Sequence, residues 1–416
     1  MNAFICHVPF HYYLFKSTHK HLEESCFIIP PLSDKVMTAE YGSGMSAKGQ
    51  YEYLFDFLRR KKVKVIDYGE RTAKHLGNYL NQNARNVIVS HWFNGIYYLE
   101  NVRIIGLTFS LASLATNERK RHHIENNFIL DMLLTYGPNS ANKYKDQGLR
   151  ALPVGNPIFD DWFNNDLSED DIKPIEKKLD SNKPTILYLP AWSHYSSIDK
   201  YLNTIRSLSN DYNIVVKLHH ATFNQEANRL CKLLSSPELI VLGDYFDPLP
   251  LYKLADIVLV DNGGAIYDAI LLEKPVIMLN ISSQSNEYDI LYERNRFHPD
   301  AEAVIIPTMN RPEELKSLIT NNICKKAQLD DSLKYSLFFK TDGNAGKRIT
   351  EVIMNDKEYP AIPVNEKYDR AIKNVKDEKA RKYIMDLKGS LLKNKQPLPS
   401  SKMDRVKRII KHLFKP

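Results

Sequence analysis

Cysteine and tryptophan are scarce here, with four and three residues respectively in a chain of 416. Cys6, Cys26, Cys231 and Cys324 stand far apart and form no C-x-x-C pair. That excludes a zinc ribbon or a disulfide framework and fits a reducing compartment; the expectation is four buried free thiols. No stretch approaches the ~20 apolar residues needed to cross a bilayer. The opening MNAFICHVPFHYYLF lacks a basic lead and a small-residue cleavage site, so it reads as a first core strand rather than a signal peptide. The glycine-rich segment Tyr41–Gly49 contains no G-K-[ST]. It is therefore no phosphate-binding P-loop, but a flexible loop able to close over a substrate. No carboxylate cluster or set of ligands at metal spacing occurs, so the sequence indicates no metal, Mg²⁺ included. Internal repeats and low-complexity blocks are absent.

A hydrophobic share of 43% and a charged share of 26% are those of a globular protein. The length exceeds what one ordinary core serves and suggests two domains with appendages. Net charge is +7 and mostly interspersed. The exception is residues 402–415, where Lys402, Arg405, Lys407, Arg408, Lys411 and Lys415 face one acid, Asp404. In the same tail Met403, Val406, Ile410 and Leu413 recur at helical spacing. A basic amphipathic helix over 401–416 suits an anionic membrane surface better than nucleic acid. The alternative is a helix packed on the first lobe. The expected location is cytoplasmic, peripheral on the inner face of the membrane.

Short apolar, β-branched runs alternate with longer amphipathic ones. The first half supplies strand-like runs at 2–8, 26–30, 63–67, 86–90, 103–108 and 151–154. The second supplies 185–190, 213–218, 238–242, 256–261, 275–280 and 303–306. Runs such as IVVKL and VIML are apolar on both faces, as strands of a helix-covered parallel sheet must be. The alternation predicts an α/β protein of two doubly wound, Rossmann-like domains facing a cleft. Residues 1–157 form the first, 158–356 the second, and 357–416 a set of C-terminal helices. The join falls at Gly155-Asn156-Pro157 and the polar stretch 164–182, which is a linker or an exposed first helix.

Ligands of such sheets gather beyond the carboxyl ends of the strands. In 254–280 a buried strand ends at Asp261, and Asn262-Gly263-Gly264 turns directly into a helix. Glycines admit close backbone approach and a helix start attracts anions; alternatively Asp261 only caps a tight turn. The strand ending Lys217-Leu218-His219-His220 offers a phosphate-contacting or charge-stabilising pair. Trp192 and Ser193 close the run 187–194, with Trp192 either stacking on a ligand or belonging to the core. Asp342 and Lys347 flank another helix start suited to anions. In the first lobe His11 follows the opening strand, at the cleft edge, where an acceptor hydroxyl would be deprotonated.

These segments, in this order, resemble the CDP-glycerol glycerophosphotransferase family of teichoic-acid and capsule enzymes. The resemblance is carried by ILYLPAWSHYSS (186–197), VVKLHH (215–220), LADIVLVDNGGAIYDAILLEKPVIML (254–279), DGNAGKRITEVI (342–353) and GNPIFDDW (155–162). It implies a GT-B fold, with a CDP-activated donor held by the second lobe and a glycan or lipid-linked acceptor. It also implies donor-phosphate contacts at His219 and at Asn262, Gly263 and Gly264. Two features depart from the family. Gly263-Gly264 stands where the family usually has Ser-Ser, leaving backbone amides for any contact. The first-lobe Trp-His-Gly motif is missing from the corresponding strand, 104–110, so the base falls to His7, His11 or His91, with His11 favoured. A sugar-nucleotide glycosyltransferase of capsule or lipopolysaccharide assembly is the alternative on the same fold.

Overall fold

The computed structural model describes residues 1–32, 46–100, 102–108, 127–146, 148–261, 263–279, 308–309, 311–326, 329–374 and parts of 378–389. The expected tail helix at 401–416, most of the 41–49 loop, the strand expected at 303–306 and Asn262 lie outside the described residues.

Two parallel sheets form the molecule. The first holds β1 (Asn2–Ile5), β2 (Ser25–Ile29), β3 (Val65–Asp67), β4 (Asn86–Val89), β5 (Arg103–Leu107), β6 (Met132–Thr135) and β7 (Ala151–Pro153), ordered 3-2-1-4-5-6-7. The second holds β8 (Thr185–Leu189), β9 (Asn213–Lys217), β10 (Ile240–Leu242), β11 (Ile257–Val260), β12 (Val276–Leu279) and β13 (Thr308–Met309), ordered 10-9-8-11-12-13. Every described pairing is parallel, with Ala3 beside both Cys26 and Val87, and Val258 beside both Leu187 and Val276. Strands 1, 2, 4, 5, 6, 11 and 12 are buried along their whole length, which explains their lack of polar alternation. This is the GT-B arrangement. Of the twelve runs expected as strands, those through 275–280 recur with ends shifted by a few residues, and β6 was not expected at all. The segment 164–182 contains a helix, Glu169–Glu176, anchored by buried Ile172 and Ile175.

The cysteines correct one expectation. All four are free, but only Cys6 and Cys26 are buried; Cys231 and Cys324 are exposed. Cys231 sits on an amphipathic helix, Ala227–Leu234, away from its buried residue Leu233.

The chain changes lobes near two glycines whose backbones demand glycine. Gly155 has φ +89° and Gly343 φ +68°, and a Cβ at Gly343 would lie 2.3 Å from Oδ1 of Asn164. The return comes before residue 356, the expected boundary. Helix Asp331–Phe338 already packs on Pro138–Lys145, and helix Ala345–Met354 packs on Pro9–His21 of the first lobe. The carboxylate of Asp160 pins that crossing, accepting from the amides of Ala345 and Gly346 at 3.0 and 2.7 Å and from Ser17 Oγ at 2.6 Å.

Candidate active site

In each sheet the order reverses at one place, between β1 and β4 in the first and between β8 and β11 in the second. There the connections leave on opposite faces and a crevice opens at the carboxyl ends. β1 runs out through Cys6-His7-Val8 into helix Pro9–His21, whose fixed proline φ opens the first turn and places His11 two positions further on. β4 runs out into Ser90-His91.

These turns bring three histidines together. The backbone N–H of His7 donates to Nδ1 of His11 at 3.0 Å. Nε2 of His11 lies 2.7 Å from Nδ1 of His91, and the two rings stack with centroids 4.6 Å apart. Burial above all, then the neighbouring histidines, pushes His11 well below its usual value and His7 down to about 3. His11, expected as the base, is 1% exposed with both ring nitrogens engaged, so it does not itself meet an acceptor. His91 is the partly exposed member of the pair.

Across the cleft β9 delivers Lys217, His219 and His220. His219 caps the helix His220–Gln225 by accepting the Ala221 amide on Nδ1 at 3.1 Å. Trp192 stacks on it, centroids 5.9 Å apart and planes at 11°, and the His220 ring lies 4.0 Å from it, tilted by 34°. Trp192 thus stacks on a ring of the protein itself, that of His219, and is half-buried. Burial and then Lys217 push His219 down to about 3. His220 is pushed well below its usual value by burial, by His219 and by His91 of the opposite lobe. The histidines of the two lobes thus feel each other across the cleft. Lys217 donates to the Leu218 carbonyl at 3.0 Å and forms no ion pair among the described residues. Burial lowers it to about 8, against the pull of Asp244 and Asp247.

Asp261 has a third role besides those expected. Its Oδ2 accepts the amides of Ala191 and Ser197 at 2.7 and 2.8 Å, which fixes the loop carrying Trp192 and Ser193. It is 2% exposed, and burial holds its proton up to about 7 despite those bonds. Ser193 is held in the left-handed region at φ +58°, its N–H donating to Glu226 and its carbonyl accepting from Arg229. Helix Gly264–Leu271 starts directly behind Gly263, where a Cβ would meet no atom within 4 Å among the described residues. Asp342 and Lys347 are not presented as expected. Asp342 is bonded to Arg348, Lys347 is exposed, and the anion taken by their helix start is the chain's own Asp160.

Sequence reasoning missed the groups that hold the lobes together beside this cluster. Tyr53 donates to Asp244 at 2.7 Å, Tyr13 donates to the Tyr245 carbonyl, and Lys16 pairs with Asp247 and Asp161, each at 2.8 Å. Both carboxylates keep Lys16 charged above its usual range although burial opposes this. It also missed Asp268, whose proton burial holds up to about 7, and which acts on buried Tyr136 and Tyr252, whose hydroxyls have no hydrogen-bond partner among the described residues. The visible signal was its place one helical turn beyond Gly264 at the cleft, with three residues between them. Among the described residues no group of three or more His, Cys, Asp or Glu is placed to hold a metal ion. A groove of about 510 Å³ between Trp162 and Lys274 opens at the amino-terminal end of the second sheet and includes none of the cleft residues.

Two facing Rossmann-like lobes with a histidine-lined cleft define a protein of the GT-B class. The sequence model of the CDP-glycerol:poly(glycerophosphate) glycerophosphotransferase family matches residues 115–355, and the chain belongs to that family. No curated protein matches it. Solved structures that it resembles include the wall teichoic acid polymerase TagF, with 17% identity, a TM-score of 0.56, and 86% of this chain and 89% of that one covered. UDP-GlcNAc 2-epimerase from Neisseria meningitidis bound to UDP-GlcNAc gives 15%, 0.55, 85% and 100%. The same enzyme from Methanocaldococcus jannaschii in complex with UDP-GlcNAc and UDP gives 16%, 0.52, 85% and 99%. At these identities the likeness is one of fold.

Proposed function

We propose that this transferase moves a polyol phosphate, glycerol or ribitol phosphate, from a CDP-activated donor to a hydroxyl of a cell-surface glycan or lipid-linked acceptor. The acceptor oxygen forms a bond to the β-phosphorus, the bond from that phosphorus to the bridging oxygen breaks, and CMP leaves with it. The acceptor's proton passes to solvent. Such transfers depend on positioning and on offsetting charge rather than on covalent work by the protein. The observation that carries this reading is Lys217, a buried ammonium without an ion-pair partner among the described residues, set beside His219 and His220, the latter within electrostatic reach of His91 of the first lobe. The helix start behind Gly263 would add backbone amides for the same phosphates. The donor needs no further cofactor in this scheme, and the basic segment 401–416 would hold the enzyme at the inner membrane face near a lipid-linked acceptor.

A sugar-nucleotide glycosyltransferase is the second reading. It is favoured by the stretch 104–110, which holds no histidine where the family usually carries its Trp-His-Gly motif. The UDP-GlcNAc-binding neighbours also match this fold as closely as the teichoic acid polymerase does. Incubation with CDP-glycerol, CDP-ribitol and a panel of UDP- and CMP-sugars, read by thermal shift and CMP release, separates the two. Stabilisation and CMP release with a CDP-polyol support the proposal. Stabilisation by UDP ligands only would sink it.

A further inference from the structure

Lys217 has two carboxylates within electrostatic reach, Asp244 and Asp247, and among the described residues it pairs with neither. β9 and β10 lie side by side with Lys217 opposite Leu242, so the segment 243–247 leaves the sheet next to the end of the lysine's strand. Both carboxylates are buried, where an ammonium and a carboxylate gain most from direct contact. What keeps them from Lys217 is what they already hold. Oδ1 of Asp244 accepts the Tyr53 hydroxyl at 2.7 Å, and Oδ2 accepts Nδ2 of Asn224 at 3.1 Å. Oδ1 of Asp247 accepts the Leu249 amide at 3.0 Å, capping helix Pro248–Leu254, and Oδ2 accepts Lys16 at 2.8 Å. Each of the four oxygens thus has a donor other than Lys217. Asn224 and Leu249 belong to the second lobe. Tyr53 and Lys16 come from helices Ala47–Arg60 and Pro9–His21 of the first. Each carboxylate is therefore held by one bond from its own lobe and one from the opposite lobe. Lys217 spends one of its three N–H donors on the Leu218 carbonyl. The other titratable groups acting on or with it are His219 and His220, both kept neutral chiefly by burial.

We propose that Tyr53 and Lys16 are positioning residues for the donor: by occupying Asp244 and Asp247 from the first lobe, they withhold both carboxylates from Lys217 and leave its ammonium for the donor's phosphates. With the lobes apart, each carboxylate loses one donor, and Lys217 is a cation of their own lobe already within reach. The second lobe alone then neutralises its own phosphate-binding charge, and seating the first lobe releases that charge. Contact between the lobes thus prepares the donor site as well as joining the two halves. The part given to the phosphates rests on the transfer proposed above; the withholding of the carboxylates does not. Tyr53 is the cleaner residue to test. Tyr53→Phe removes one hydroxyl and keeps the ring that packs on Phe223 and Tyr245, whereas Lys16 also pairs with Asp161.

Two measurements on the full chain test this. Protein carrying ¹³C-labelled lysine is titrated by NMR, with the Lys217 Cε signal identified by its loss in Lys217→Met. In wild type it should titrate near 8, where burial places it. In Tyr53→Phe, with Asp244 free to bond to it, it should titrate about one pH unit or more higher. Tyr53→Phe/Asp244→Asn, which removes the freed carboxylate as well, should bring it back to the wild-type value or below. With CDP-glycerol as donor, Tyr53→Phe should raise KM about tenfold, the worth of one charge-assisted hydrogen bond, with kcat little changed. The double variant should restore KM. A Lys217 titration indifferent to Tyr53→Phe, or a raised KM that Asp244→Asn does not restore, would make Tyr53 no more than a brace between the lobes and overturn the proposal. Absence of turnover with every CDP-polyol would count against the transferase reading, and the lysine titration would still decide this one.

Discussion

Asp261→Asn removes one titrating group from the core while leaving its oxygen in place. In the folded protein Oδ2 accepts two amides, and an asparagine oxygen can accept the same two. The carboxyl is 2% exposed, and burial raises it from 3.8 to about 7. Below pH ~3.8 both the folded and unfolded chains hold the proton, so the group has no pH-dependent effect. Between there and pH 7 the unfolded chain has released the proton and the folded one keeps it. Stability therefore falls as pH rises, by up to about 1.4 kcal/mol per pH unit. The total is about 4 kcal/mol, and above pH 7 the penalty is constant. Asp268 titrates in wild type and variant alike, so the difference between the two proteins isolates Asp261. Urea unfolding followed by tryptophan fluorescence between pH 4 and 8 should show Asp261→Asn gaining on wild type by about 4 kcal/mol across that range. Parallel stability curves, within about 1 kcal/mol, would mean that Asp261 is ionised in the folded state and that its burial has been misjudged.

Lys217 should govern the alkaline side of the activity profile. Burial lowers it to about 8, so kcat/KM for a CDP-polyol falls as pH rises through that value. Lys217→Met should lower kcat/KM about 10- to 100-fold, the worth of one charge-assisted hydrogen bond. It should also abolish the alkaline limb, and a limb surviving in the variant refutes the assignment. Two glycines should behave oppositely. A Cβ on Gly346 would lie 2.2 Å from Ser17 Oγ and 2.6 Å from its carbonyl carbon. Gly346→Ala thus forces two helices apart, at about 1–3 kcal/mol. Gly263→Ser, in extended backbone with open space around the Cβ, should stay within about 0.5 kcal/mol of wild type. Urea midpoints ranking Gly263→Ser below Gly346→Ala would contradict this packing.

The parallel sheets were readable because their strands are apolar on both faces, a pattern few other elements share. β6 escaped because MLLT is four residues long and follows an aspartate, which reads as a helix flank when its neighbours are unseen. The role of Asp261 was not readable, because its partners are backbone amides 64 and 70 residues away, and amides leave no trace in residue identity. Lys217 and His219 were legible as basic residues at a strand end. The pairing of His11 with His91 was not, since it needs the adjacency of β1 and β4, a contact between residues 80 apart in the chain. Asp342 and Lys347 were misread for a related reason. The helix start after them does bind an anion, but the sequence does not reveal that Asp160, 185 and 186 residues away, supplies it.

The first lobe is finished by residues that come last in the chain. The Arg103 guanidinium is taken up by Asn86 and by the carbonyls of Ile353 and Tyr359. Buried Asp131 pairs with Lys367 at 2.8 Å and accepts the Ile362 amide. On the ribosome the lobe that begins first therefore lacks these partners until the segment from 345 onward is made. At 5–20 residues per second, that is a delay of roughly 10–40 s after residue 157 is made. Throughout it Arg103 and Asp131 lack those partners, while the strands of the second sheet are already available to pair. The later lobe is thus free to fold first and to offer its returning helices as the template on which the earlier one closes.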